Sequence, residues 1–308
     1  MKYIKNTTEF FIDEPTVISL GKFDGIHRGH ELLLEQLLKK KCEGYATVIF
    51  TFDIPPKKAL EDEDAKVLTT NEEKMHMFES FGIDYLIECP FTPKVMSMEP
   101  EVFIEMLVKS LSLKYIVAGE DFHFGRNRRG DYRMLQEYAK KLSYEAIILP
   151  KMKEEERDIS STFVREEIVA GRIERANNLL GYPYFVSGEV KHGNQIGRTI
   201  GFPTINLIPP ANKLLPSFGV YITKVTIDGI VYQGVTNVGR KPTIEGNNPV
   251  GIETHILDFR QDVYDKVVIV TFIKKLRDEQ KFPNLEALLE QLRLDVNEAK
   301  YYFSLNEN

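Results

Sequence analysis

A change in the order of secondary structure near residue 182 constrains the fold of this chain more than any other feature. Before it, strand-like and helix-like stretches alternate. Apolar runs at Val17–Leu20, Tyr45–Phe52, Tyr85–Cys89, Tyr115–Ala118 and Glu145–Leu149 are separated by helical patterns at Gly29–Lys40, Glu72–Phe81, Glu101–Ser110 and Tyr132–Lys141. Such alternation predicts an α/β domain with a parallel sheet and helices on its faces. After it, strand-like stretches follow one another: Tyr184–Lys191, Val220–Ile227, Val231–Asn237, Gly251–Phe259 and Val267–Ile273, with Asp228-Gly229 as a hairpin turn. Strands in succession predict an antiparallel β-barrel. A terminal helix over about Leu285–Tyr302 carries Leu285, Leu288, Leu289, Leu292 and Val296 at helical spacing. The expected domains are 1–182 and 183–308, joined near Gly181-Tyr182-Pro183.

Composition narrows the function classes. A length of 308 residues suits one large or two ordinary domains, and a net charge of −6 disfavours a general nucleic-acid binder. Cys42 and Cys89 supply no disulfide framework, and no CxxC or Cys/His cluster points to zinc. The first nine residues lack the apolar core of a signal peptide, and no apolar run has the length of a membrane span. The expectation is a cytoplasmic protein whose partners are small molecules, not nucleic acid or membrane.

The segment Gly21-Lys22-Phe23-Asp24-Gly25-Ile26-His27-Arg28-Gly29-His30 follows the first apolar run and leads into a helix. His27 and His30 are three apart and share a helix face. A helix start offers free N–H groups and a positive dipole end, which suit a phosphate. Two imidazoles at that point can stabilise charge while the α-phosphate of ATP changes partners. The plainer reading makes both histidines helix caps. That reading suits a lone histidine better than the whole pattern. Ile159-Ser160-Ser161-Thr162-Phe163-Val164-Arg165 adds three hydroxyls before a second predicted helix, with an arginine three residues on. Ser160, Ser161 and Thr162 can hold phosphates and Arg165 a departing pyrophosphate. By itself the segment reads equally as an N-cap with a solvated arginine. The dinucleotide fingerprint GxGxxG is absent.

These segments resemble known motifs. Gly21–His30 resembles the HxGH signature of the Rossmann-like nucleotidylyltransferases, in the Gly-x-Phe-Asp-Gly-x-His-x-Gly-His form of FAD synthetases. The resemblance implies nucleotide binding by Gly21, Phe23, Asp24 and Gly29, and charge stabilisation by His27 and His30. Ile159–Arg165 resembles the ISSTxxR element of the same enzymes. Gly119-Glu120-Asp121-Phe122-His123-Phe124-Gly125 resembles their GxDFxFGxxRxG loop, which implies that Asp121 lies near adenosine or flavin. Thr51-Phe52-Asp53-Ile54-Pro55-Pro56 departs from the pattern: the family has Pro-His-Pro, and here only Asp53 stays as an ATP-site candidate.

In the second half, the glycine-rich stretch Gly193–Gly201 lacks the GxxxxGK[ST] of a P-loop. Thr204 and Asn206 are two apart in an extended segment and so share a face, where their oxygens can ligate a phosphate-bridging Mg²⁺. Gly197–Asn206 resembles the GRxxGFPTAN motif of riboflavin kinases, with Ile205 in place of alanine, and implies nucleotide binding at Gly197, Thr204 and Asn206. Glu253 and His255 share a strand face, and the resemblance makes Glu253 the general base. In isolation such alternation reads as the wet face of a strand. Leu276–Phe282 resembles an LRxExxF segment, where Arg277 either contacts flavin or phosphate or holds the start of the last helix through Asp278 and Glu279.

Taken together, the chain resembles the bifunctional riboflavin kinase/FMN adenylyltransferase family. The resemblance implies phosphorylation of riboflavin by ATP in the barrel domain and adenylylation of FMN to FAD in the α/β domain, both with Mg²⁺. Two alternatives stand beside it: a kinase with a weak or altered adenylyltransferase half, suggested by Pro55-Pro56, and a flavin-binding regulator without turnover.

Overall fold

The computed structural model of the chain describes residues 1–53, 66–192, 197, 200–240 and 250–306. They form two compact units, Met1–Ser161 and Thr162–Asn308.

The first unit runs β1 (Lys2–Lys5), β2 (Thr16–Leu20), α1 (Arg28–Cys42), β3 (Ala46–Phe52), α2 (Asn71–Ser80), β4 (Tyr85–Cys89), α3 (Pro93–Met96), α4 (Pro100–Ser110) and β5 (Leu113–Gly119). It continues through β6 (His123–Phe124), β7 (Gly130–Asp131), α5 (Tyr132–Leu142), β8 (Glu145–Leu149), β9 (Lys153–Glu154) and β10 (Arg157–Asp158). Six strands form one sheet in the order β1-β4-β3-β2-β5-β8, and every neighbouring pair is parallel. All five residues of β2 are buried, as a central parallel strand covered on both faces requires. Ile18 and Leu20 enter the apolar layer that includes Phe50 and Phe103, while Val17 enters the layer under α1. There α1 buries Leu33, Leu34 and Leu37, each worth about 1.5–3 kcal/mol of apolar transfer. Lys39, Lys40 and Lys41 in its last turn complement the negative end of the helix dipole.

The second unit carries α6 (Ser161–Val169), α7 (Ile173–Leu180), β11 (Phe185–Lys191), β12 (Ile205–Ile208), β13 (Gly219–Ile227), β14 (Ile230–Arg240), β15 (Val250–Ile256), β16 (Val267–Arg277) and α8 (Leu285–Asn306). Its six strands close into a barrel in the order β11-β12-β15-β14-β13-β16, with every pair antiparallel. The turn between β13 and β14 has Asp228 at φ 50° and Gly229 at φ 81°, both on the positive side that a tight hairpin needs. Across the barrel interior, Thr223, Thr236 and Thr254 link hydroxyl to hydroxyl at 2.7 and 2.8 Å, so these fully buried groups satisfy one another. On the outside, α8 lays Ala299 and Phe303 over Val220, Ile222 and Val235.

The compact division at 161 and the expected one at 182 differ by α6 and α7. Both helices pack on the barrel: Asn177 Nδ2 donates to the Phe272 carbonyl at 2.9 Å, its Oδ1 accepts the Tyr184 N–H at 2.7 Å, and the Ser217 N–H reaches the Ile168 carbonyl at 3.3 Å.

Candidate functional sites

The carboxyl ends of β2, β3 and β5 carry the Gly21–His30 turn, Asp53 and Asp121 to one edge of the parallel sheet, where ligands of open α/β sheets bind. His27 is the N-cap of α1, but its side chain makes no capping hydrogen bond. Its ring instead stacks on that of His30, with centroids 3.8 Å apart and planes 18° apart. His27 is 7% exposed and its Nδ1 has no hydrogen-bond partner. Burial, then the neighbouring His30, pushes the His27 pKa down to about 2; burial holds His30 at about 4. Both imidazoles are therefore neutral near pH 7. The Gly25 carbonyl accepts from His30 Nδ1 at 3.2 Å, which puts the ring hydrogen on that nitrogen. Nε2 keeps the lone pair, and a phosphate oxygen meeting it must bring or draw a proton. Asp24 and Asp121 lie near enough to oppose the lowering of the His30 pKa.

The glycines of the motif are close approaches. A Cβ on Gly29 would stand 3.2 Å from the His27 ring, and one on Gly21 would stand 3.0 Å from the Phe23 ring. Phe23 is fully buried between His30 and Phe78, at ring distances of 5.0 and 5.4 Å. Asp24 accepts the Leu68 and Thr69 N–H groups on Oδ1, and its carbonyl accepts the Ser161 hydroxyl at 2.7 Å. The β9–β10 hairpin ties to the same turn through Arg28 and Glu154, 2.8 Å apart.

Asp121 has a mostly exposed side chain 3.6 Å from Lys151. Asp53 Oδ1 accepts the Phe91 N–H at 2.9 Å and so braces the chain after β4. Ser160 and Ser161 end the first unit; Ser161 opens α6, and Thr162 and Arg165 follow on that helix in the second. Pro55 and Pro56 lie outside the described residues.

In the barrel unit, one transverse row crosses five strands. Arg277 on β16 pairs in register with Val220 on β13, Val220 with Asn237 on β14, Asn237 with Glu253 on β15, and Glu253 with Asn206 on β12. Directly opposed residues of antiparallel strands share a face, with Cβ atoms about 4.5–5.5 Å apart. Glu253 thus stands between two amides on the outer barrel face. Asn237 entered the sequence reading only as the end of the strand-like stretch Val231–Asn237, because its neighbour lies 16 positions away and only the register reveals it. His255 Nδ1 meets the Pro203 carbonyl at 2.8 Å and holds the chain leading to Thr204. The Phe202 N–H returns to the Gly197 carbonyl at 2.8 Å, and a Cβ at Gly197 would meet the Phe202 carbonyl oxygen at 2.3 Å. Only glycine fits that turn. A cavity of about 240 Å³ opens beside it, lined in part by Thr204, Thr254, Phe259, Arg260 and Tyr264. The donors nearby are a hydroxyl, an amide oxygen and a carboxylate, all hard oxygens of the kind Mg²⁺ takes.

Arg277 pairs with Asp295 on α8, with Nε 2.9 Å from Oδ1 and Nη2 2.8 Å from Oδ2. Its Nη1 donates to the Asp278 carbonyl at 3.2 Å. It therefore anchors the body of α8, and the Asp278 carboxylate pairs with Lys275 instead.

Known proteins share this architecture over the whole chain. The FAD synthetase family pattern matches residues 11–163 and the riboflavin kinase pattern residues 180–303. A bifunctional riboflavin kinase/FMN adenylyltransferase from Listeria monocytogenes is 33% identical over 305 residues, 98% of this chain and 97% of that protein. The enzyme of that name from Bacillus subtilis is 35% identical over 298 residues, 94% of this chain and 93% of that protein. A crystal structure described as a macrolide-efflux protein from Streptococcus pneumoniae superposes with a TM-score of 0.88 at 33% identity, covering 97% of this chain and 98% of that one. Among the described residues, no helix of this chain is long and apolar enough to cross a membrane. Matched from end to end by these relatives, the chain belongs to the bifunctional riboflavin kinase/FMN adenylyltransferase family.

Proposed function

We infer that this chain makes FMN and then FAD, with one reaction in each half and ATP as co-substrate in both. In the barrel half, riboflavin gives its 5′-hydroxyl proton to Glu253 as the oxygen bonds to the γ-phosphorus of ATP, and ADP departs. In the α/β half, a phosphate oxygen of FMN bonds to the α-phosphorus of a second ATP, and the bond to pyrophosphate breaks. His27 and His30 bind the polyphosphate beside the N-terminus of α1, His30 Nε2 taking up a proton from solvent as the anion arrives, and offset charge in the transition state. Gly21, Phe23, Asp24 and Gly29 shape that turn. By the same resemblance Ser160, Ser161, Thr162 and Arg165 are further phosphate-binding candidates, in keeping with a functional division at residue 182. Asp121 faces the nucleoside, and Asp53 acts from behind through the chain it braces.

Thr204 and Asn206 would hold Mg²⁺, which when bound would neutralise phosphate charge on ATP. Gly197 lets the backbone turn against Thr204, and Arg277 contributes to the flavin end by fixing α8. The reactions belong in the cytoplasm, where ATP is plentiful. The observation that carries this reading is the pairing of Glu253 with Asn206 in one unit while a stacked, neutral histidine pair occupies the helix start of the other. Incubating the full chain with riboflavin, ATP and Mg²⁺ and identifying products by chromatography tests it. FMN should appear first and FAD after it. FMN accumulating without FAD would leave only the kinase, and neither product would defeat the reading.

A further inference from the structure

Phe23 and Gly25 both have positive φ, 49° and 63°. Glycine takes that conformation freely; phenylalanine does not, and has to be held there by its surroundings. The holding contacts come from 44 residues downstream. Thr69 Oγ1 accepts the Gly25 N–H at 3.0 Å and donates to the Phe23 carbonyl at 3.4 Å. The N–H groups of Leu68 and Thr69 both donate to Asp24 Oδ1, at 2.7 and 3.2 Å. Thr69 is 3% exposed. Its position is fixed by Thr70, which caps α2 in a reciprocal capping box with Glu73, and α2 in turn presses Phe78 edge-on against Phe23.

On its other side, Gly25 holds the histidines. Its carbonyl accepts the His27 N–H at 2.6 Å and His30 Nδ1 at 3.2 Å. One residue is thus gripped through its N–H by Thr69 and grips both histidines through its carbonyl. We propose that Thr69 is a positioning residue for adenylyl transfer: its hydroxyl sets the Phe23–Gly25 turn and, through the Gly25 carbonyl, the placement of both imidazoles. This rests on the reading of His27 and His30 as the phosphate site. Thr69 itself acts from behind the turn. Valine at this position keeps the shape and loses both hydrogen bonds; serine keeps the hydroxyl.

The test compares full-length Thr69→Val and Thr69→Ser. In Thr69→Val, kcat for FAD formation from FMN and ATP should fall about 10- to 100-fold, the range expected when reacting groups are displaced by up to an ångström. KM for ATP should change less than kcat, and riboflavin phosphorylation should stay at the parent rate. Thr69→Ser should recover most of the loss. The His30 Nδ1–H signal in nitrogen–proton spectra should move in Thr69→Val and not in Thr69→Ser. A parent rate in Thr69→Val, a serine variant as poor as the valine one, a lost rate with an unmoved His30 signal, or failure of both variants to fold would each overturn the proposal. His27→Ala, run alongside, separates the two levels. FAD formation that survives His27→Ala defeats the underlying site, whereas loss in His27→Ala without loss in Thr69→Val defeats only the role of Thr69.

Discussion

Asn206 and Glu253 face each other across the β12–β15 ladder, and Asn237 flanks Glu253 from the other side. A carboxylate between two amides on the outer barrel face can accept a proton from an alcohol. Glu253→Gln keeps the size and hydrogen bonding of the side chain but removes the base. FMN formation should fall about 10²- to 10⁴-fold, the usual span for a general base. FAD formation from supplied FMN should persist. Chromatography of the two reactions run separately checks both statements, and equal damage to both would show that Glu253 does not serve one unit alone.

Asn206 is 7% exposed, so its amide is held rather than solvated. If its oxygen ligates the metal, Asn206→Ala should raise the Mg²⁺ concentration giving half-maximal FMN formation by about tenfold, a typical cost of losing one well-placed polar contact. The Mg²⁺ dependence of FAD formation should not move. Titrating Mg²⁺ at saturating ATP in each assay reads the difference.

Much of this was legible in the sequence because the signals are local. β4 and β8 occupy the expected spans, Tyr85–Cys89 and Glu145–Leu149, and the Asp228-Gly229 hairpin is where turn chemistry places it. The parallel sheet, the barrel and the terminal helix were likewise expected from periodicity. β1 was not: its four residues, Lys-Tyr-Ile-Lys, carry little apolar pattern and become a strand only by pairing with β4. β12 is only four residues long and read as merely extended. The two supports of the sites that sequence reasoning missed, Thr69 behind the histidine turn and Asn237 beside Glu253, act across 44 and 16 positions. Register and long-range latching are set by tertiary pairing, which no spacing rule encodes.

The histidine pair gives a pH dependence of stability with a definite sign. Burial lowers the folded-state pKa values to about 2 for His27 and about 4 for His30, from an ordinary value of 6.5. Protons then bind the unfolded chain in preference to the folded one. The contribution is fully present above about pH 6.5 and is lost as pH falls, down to about 4 for His30 and about 2 for His27, by up to about 1.4 kcal/mol per pH unit for each histidine. Hydrogen exchange of β2 and α1 amides at pH 7.5 and pH 5 measures it. Protection should drop between the two, and drop less in a His27→Asn, His30→Asn double variant.

Arg277 and Asp295 form a bidentate ion pair with the carboxylate side chain 4% exposed and the guanidinium side chain 19% exposed. Gln291 adds a further hydrogen bond to Asp295 Oδ1 at 2.9 Å. Removing one partner strands the other's charge in a desolvated place, so Asp295→Ala should destabilise the barrel unit by about 3–5 kcal/mol. Replacing both, Arg277→Met with Asp295→Leu, should cost less than Asp295→Ala alone, because no charge is then left behind. Urea unfolding of the three proteins, followed by hydrogen exchange in β13 and α8, measures the ordering. A double variant weaker than the single would mean that the pair itself, rather than avoidance of a stranded charge, holds the helix. In either case riboflavin phosphorylation should weaken along with α8 docking, since the anchor sits at the end of the register row that carries Asn237, Glu253 and Asn206.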